Sequence, residues 1–303
     1  MENFQVEDHG MPIIDGNDGN IGNSNITFSP SKGFDEIDLY PNVASDMESR
    51  WEQSAFLNGT LVSDELPPIP ERYKTLSIDG EKVPLKAQWA YRNEDGRLLF
   101  YIQRFDSNTG HKEFRPLSPT LSGDYTEWNR QGPSGLRPLY GLDRLSTNSY
   151  ASVIICEGEK ATDAATRLFP EMVAVCSMNG ANSPQKSDWS VLSDRTVMLW
   201  GDFDEPGCQY ISTVEKLVTT AGSKVIHCIN PHWFLQMGTK FGINRETLPE
   251  GWDAADAEQE GFTAKNIHLL LNQAKDENLN ITLYSSIPSQ TAGVDAQLMI
   301  AQS

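Results

Sequence analysis

The sequence predicts an α/β domain over residues 151–272, a four-stranded and mainly parallel sheet flanked by helices, preceded by a small antiparallel β-meander. Three observations carry that prediction. After residue 151, short unbroken apolar runs alternate with helical stretches, the pattern of strands covered by helices on both faces. Before residue 150, apolar and polar residues alternate between Asp-Gly and Thr-Gly turns, as they do in hairpins. Two of the later apolar runs lead directly into acidic clusters, at the strand ends where open α/β sheets keep their chemistry.

In chain order, residues 1–66 are rich in Asn, Gly, Ser and Asp and hold 13 Asp/Glu against 2 Lys/Arg. They show no sustained period of 2 or 3.6, so a largely disordered acidic tail is expected. A short element around residues 46–57, with Met47, Trp51 and Phe56, is a candidate docking segment within it. Pro67-Pro68-Ile69-Pro70 reads as a stiff linker. Residues 67–150 form the β-rich part and, with 12 Lys/Arg against 10 Asp/Glu, the one third of the chain that is not acidic. Strands are expected at Gln88–Arg92, Arg97–Phe105 and Lys112–Leu117, with turns at Asn93-Glu94-Asp95-Gly96 and Ser107-Asn108-Thr109-Gly110. Arg104, Lys112 and Arg115 come from adjacent strands. If the pleat aligns them they make a basic face for a nucleic-acid backbone; otherwise they are ordinary solvent-facing strand residues.

In residues 151–272 the strands are expected at Val153–Cys156, Met172–Cys176, Thr196–Trp200 and Lys224–Ile229. The intervening helices are expected near Lys160–Leu168 and Gln209–Thr220, the first ended by Pro170 and the second by Ala221-Gly222. Residues 273–303 read as a polar C-terminal tail.

Several function classes drop out. A net charge of −18 rules out nucleic-acid binding by bulk charge, because each phosphate contact needs a Lys or Arg to displace counterions. Four widely spaced cysteines without a C-x-x-C pair exclude a zinc ribbon and predict reduced thiols in a cytoplasmic protein. No apolar run approaches a membrane span and no signal pattern opens the chain, so a soluble protein without a membrane partner is expected. The G-x-x-x-x-G-K-[ST] phosphate loop of a helicase motor is absent from the sequence.

The acidic clusters are Glu157-Gly158, after the first apolar strand, and Asp202-Phe203-Asp204-Glu205-Pro206-Gly207, after the third. In an extended stretch Asp202 and Asp204 face one side and reach one hard cation. Mg²⁺, or Mn²⁺ in its place, takes one or two carboxylates and completes its shell with waters and phosphate oxygens. A lone D-x-D is weak; paired with an upstream strand–Glu–Gly it is specific enough to build on.

This pair of strand–acid–helix segments resembles the two signature motifs of the Toprim fold, shared by DnaG-type primases, type I and II topoisomerases and OLD-family nucleases. Met178-Asn179-Gly180-Ala181 stands where such primases place a small Gly-Ala turn. Leu139-Tyr140-Gly141-Leu142-Asp143 resembles a segment of bacterial primases just ahead of that domain. Tyr91 to Leu117 followed by Arg137-Pro138-Leu139-Tyr140 looks like the primase-like proteins of phages, plasmids and integrated elements, so the resemblance covers roughly Gln88 to Gly261.

The resemblance implies Glu157 as general acid/base and Asp202 and Asp204 as metal ligands. It makes Asp253, in Gly251-Trp252-Asp253-Ala254-Ala255-Asp256, a further metal-side carboxylate. Lys160 and Arg137 become candidate contacts for a triphosphate or nucleic acid. Two departures stand out: Ala161 occupies a position usually acidic, and Trp252 replaces a lysine. The implied activity is Mg²⁺-dependent nucleotidyl or phosphoryl transfer in DNA replication by a mobile-element protein. Single-stranded DNA or another nucleic acid and nucleoside triphosphates would be its substrates, and a replicative helicase or other replication protein a candidate partner. A nuclease using the same carboxylates, and a non-catalytic binding module, are the alternatives.

Overall fold

The computed structural model describes residues 66–122 and 125–276. The candidate docking segment at 46–57 and both tails fall outside or largely outside that range. The β-rich part is an antiparallel sheet in sequential order: β1 (Thr75–Ile78), β2 (Glu81–Arg92), β3 (Leu98–Asp106), β4 (Lys112–Ser122) and β5 (Tyr125–Asn129). Asp79 and Gly80, both at positive φ, turn β1 into β2, the geometry Asp-Gly favours in a two-residue hairpin loop. Sequence pattern located the centre of this sheet and missed β1, β5 and the first half of β2. The chain from Pro67 to Lys74 is not a free linker. Trp128 Nε1 donates to the Pro67 carbonyl at 2.9 Å, and the Tyr73 hydroxyl donates to the Trp128 carbonyl.

A short helix α1 (Leu142–Thr147) leads into the second sheet. Its strands are β6 (Val153–Cys156), β7 (Val173–Cys176), β8 (Thr196–Trp200) and β9 (Lys224–Cys228), all paired in parallel in the order β7-β6-β8-β9. The helices are α2 (Glu159–Leu168), α3 (Glu205–Thr220), α4 (Pro231–Gly238), α5 (Ala254–Gln259) and α6 (Ala264–Asp276). Strand residues alternate between two cores. Ile154, Cys156, Met198 and Trp200 pack with α2 and α4–α6, while Val153, Ile155, Val197 and Leu199 pack with α1 and α3. Cover on both faces is why these strands are apolar without interruption.

The order fixes where a ligand can lie. From β6 the chain steps outward to β7, then returns to β8 on β6's other side, so the winding reverses between β6 and β8. Such a reversal opens a crevice at the carboxyl ends of the two strands. Glu157 and Asp202 follow those two ends.

The two sheets meet across buried aromatics. Trp89, Tyr91, Phe100 and Ile102 cluster with Tyr140, Cys176 and Met178. Three hydrogen bonds tie the meander and the segment before α1 to α2. Trp89 Nε1 and the Tyr140 hydroxyl donate to the two oxygens of Asp163 at 3.0 and 2.8 Å, and the Tyr91 hydroxyl donates to Glu159 at 2.8 Å.

Candidate active site

Backbone geometry gathers the acidic residues. Asp204 is the N-cap of α3, its Oδ1 accepting from the Gly207 N–H at 2.6 Å. Pro206 falls in the first turn, where its missing N–H costs nothing. A Cβ on Gly207 would lie 2.2 Å from the Asp202 carbonyl oxygen, so only glycine lets α3 start flush against the Asp202 loop. Asp253 caps α5 in a reciprocal box with Asp256, its Oδ1 accepting from the N–H groups of Ala255 and Asp256. The two acidic loops are laced together: the Phe203 N–H donates to the Trp252 carbonyl at 2.9 Å and the Gly251 N–H to the Phe203 carbonyl at 3.0 Å. Gly251, at φ +73°, lies beside Asp204, a Cβ there falling 3.6 Å from Oδ2.

Glu157 enters from the other side. The backbone N–H groups of Ala181 and Asp202 reach its carboxyl group, yet Oε2 is buried with no partner. Gly180, in the turn read from sequence, lies over this side chain, a Cβ there falling 3.3 Å from Glu157 Cγ. Burial, then the charge of Asp204, pushes Glu157 well above the usual carboxylate range. Burial and then the charges of Glu157, Asp253, Asp204 and Asp256 do the same to Asp202. Asp253 is raised by burial, against the pull of its capping N–H groups and Lys160. Carboxyl groups that repel one another inside protein are short of positive charge.

The residues suit a hard divalent cation. The donors are all carboxylate oxygens, one of them an unpartnered buried atom, and their mutual repulsion is what such a cation relieves. Among the described residues no three or more His, Cys, Asp or Glu side chains stand in an arrangement that would hold a metal ion as it is. Asp204 and Asp253 each spend one oxygen on a helix cap.

No family model matches the chain, and no curated protein matches it. Among solved structures it is similar to the Aquifex aeolicus primase (zinc-binding and RNA polymerase domains), at 17% identity and a TM-score of 0.39, over 66% of this chain and 44% of that one. A DNA primase domain from Pseudomonas aeruginosa matches at 14% identity and a TM-score of 0.36, over 66% of this chain and 56% of that one. The DnaG primase catalytic domain bound to ssDNA matches at 14% identity and a TM-score of 0.33, with the same coverage. The chain thus spans about half the length of the structures it matches.

The basic residues read from sequence divide. Lys160, in the first turn of α2, stands 3.7 Å from Asp256 and so at the carboxylates. Arg137 lies beside the parallel sheet, its Nη1 donating to Ser183 at 2.8 Å and its backbone bridging to Lys186 and Asp188. The proposed face of Arg104, Lys112 and Arg115 does not form. Arg104 pairs across the ladder with Phe114 and Arg115 with Gln103, so the two arginines project from opposite faces. Each also has an acid of its own. Arg104 makes two bonds to Asp106, at 2.6 and 2.9 Å, and Arg115 pairs with Glu113. Lys112 is exposed on Arg104's side.

Sequence reasoning passed over Glu159, Asp163, Tyr91 and Trp89, which join the two sheets. The one available signal was the pair of acids at the start of α2, on the turn nearest Glu157. Trp252, noted as a departure, belongs to the core, 0% exposed and 6.1 Å between ring centroids from Trp200.

Proposed function

We propose that this chain is a Toprim-type, primase-like protein of a mobile genetic element, joining nucleotides on single-stranded DNA at a Mg²⁺-supported carboxylate site. One observation carries the reading: Glu157, Asp202, Asp204 and Asp253 converge at the carboxyl ends of β6 and β8, with a buried Glu157 oxygen unpaired. Bound there, Mg²⁺ or Mn²⁺ would supply charge neutralisation for phosphate oxygens in an in-line displacement. Asp202, Asp204 and Asp253 are the residues that would hold it. Glu157, raised by burial to about 7, would accept the proton of an attacking hydroxyl in its ionised form and return it afterwards. Lys160, at the start of α2 beside Asp256, is placed to meet a triphosphate. A replicative helicase or another replication protein is the partner this reading implies.

The test is incubation with labelled nucleoside triphosphates, Mg²⁺ and single-stranded DNA, resolved on a gel for both extension and cleavage. Extended product is expected, and Glu157→Gln should reduce it by about 100-fold or more. Shortened DNA without extension would replace the reading with a nuclease. DNA binding with neither product would leave a binding module.

A further inference from the structure

We infer that Tyr210 is a positioning residue for the carboxylate site, its buried hydroxyl locking the Glu157 loop to the helix that carries Asp204. This rests on the reading of that site as a Mg²⁺ centre. Tyr210 lies on α3 and is 1% exposed. Its hydroxyl donates to the Cys156 carbonyl at 3.0 Å, and Cys156 is the residue before Glu157. With its one proton spent there, it accepts from the Ser177 hydroxyl at 3.1 Å and from the Ser177 N–H at 3.5 Å. A phenol has one donor and two acceptor sites. All are used within the chain, so none is left for substrate.

The place of these bonds gives them their role. The paired register of β6 and β7 ends at Cys156 and Cys176. Immediately beyond, Glu157 must leave toward Asp202 while Met178-Asn179-Gly180 must arch over its side chain, Asn179 and Gly180 both at positive φ. The strands must therefore part just past the last rung. Tyr210 takes up a carbonyl from one side and an N–H and hydroxyl from the other, so the strands separate without stranding buried polar groups. The anchor is rigid because α3 is fixed at its start as well. Asp204 caps it, Gly207 abuts Asp202, and a Cβ on Gly201 would lie 2.6 Å from Ile211 Cγ1. One helix thus sets both acidic loops, and a hydroxyl about one and a half turns from Asp204 fixes the distance between them.

Ligand-supporting groups of this kind act on metal affinity. The test compares Tyr210→Phe with Val214→Ala, a buried apolar change about one turn further along the same helix that removes no hydrogen bond. The melting temperature of each full-length protein is followed against Mg²⁺ concentration, without nucleic acid. Tyr210→Phe should move the Mg²⁺ midpoint upward by about tenfold or more, while Val214→Ala lowers the melting temperature and keeps the wild-type midpoint. Ser177→Ala, which removes one of the three bonds, should give an intermediate shift and serves if Tyr210→Phe does not fold. Equal midpoints for Tyr210→Phe, or Ser177→Ala in its place, and Val214→Ala would overturn the inference. A wild-type protein whose melting ignores Mg²⁺ would overturn the reading of the site itself.

Discussion

Asp202 is crowded by the carboxylates of Glu157, Asp253, Asp204 and Asp256. Burial and four neighbouring carboxylates raise it from 3.8 to about 8, and Glu157 rises from 4.5 to about 7. A carboxyl whose folded value lies above its unfolded one contributes stability that is complete below the unfolded value. That contribution is lost as pH rises through the folded value. Without divalent cations the pair should therefore weaken the fold progressively from about pH 4 to about pH 8, the window set by those shifts. Paired acids such as Asp106 and Glu258, which are lowered by Arg104 and Arg167, act in the opposite sense at the acid end. The clean readout is thus a difference between two proteins. Asp202→Asn removes the repulsion, so in EDTA it should melt several degrees above wild type near pH 8, with the gap closing to nothing near pH 4. Millimolar Mg²⁺ should stabilise wild type near pH 8 and do much less for the variant. A gap between the two that ignores pH would show that these carboxyls do not repel one another.

At the scale of elements, legibility followed burial. Val153–Cys156 and Thr196–Trp200 were readable to the residue because helices cover both faces and no polar position blurs the run. The start of α3 was placed four residues late. Pro206-Gly207 resembles a turn, whereas here the proline sits in the first helical turn and Asp204 caps it. In the meander Pro84 lies within β2, and Pro116 and Pro119 within β4. Proline donates no ladder bond and argues against a strand, which hid the true lengths. The acidic site was legible as two loops but not as a junction, because the Phe203–Trp252 bridge joins residues 49 apart in sequence. The basic face failed on register, which puts Arg104 and Arg115 on opposite faces, and on the acids that pair with both. Lys112→Ala should lower the salt slope of single-stranded DNA binding by about one unit, since it is exposed on the side of Arg104 and Phe114. Arg115→Ala, on the reverse face and paired with Glu113, should leave that slope unchanged. Equal effects from both would mean nucleic acid reaches both faces of the sheet.

Across the whole molecule, stability depends on contacts that bridge distant stretches of chain. Asp163 joins the two sheets by accepting from both Trp89 and Tyr140. Asp163→Ala leaves two partly buried donors without that acceptor and should cost about 2–4 kcal/mol in urea unfolding. A loss under half that would show the aromatic contacts alone suffice. The open meander is closed in a similar way by the segment before β1. Trp128 lies on β5, at the far edge from β1, and Pro67 and Tyr73 grip its indole N–H and its carbonyl. Arg130 adds a bond from Nη2 to the Tyr73 carbonyl at 3.1 Å and stacks over the Tyr73 ring at 5.6 Å. Residues 67–74 therefore link the first strand to the last. A chain beginning at residue 67 should keep the melting temperature of the full protein, because residues 1–66 carry too little apolar surface to offset their ordering entropy. A chain beginning at residue 75 loses the bonds that tie Trp128 and Arg130 to Pro67 and Tyr73 and should be destabilised by roughly 2–4 kcal/mol, with the meander opening first. Hydrogen exchange on the two truncated proteins separates the cases. Equal protection of β5 in both would show that residues 67–74 do not close the sheet.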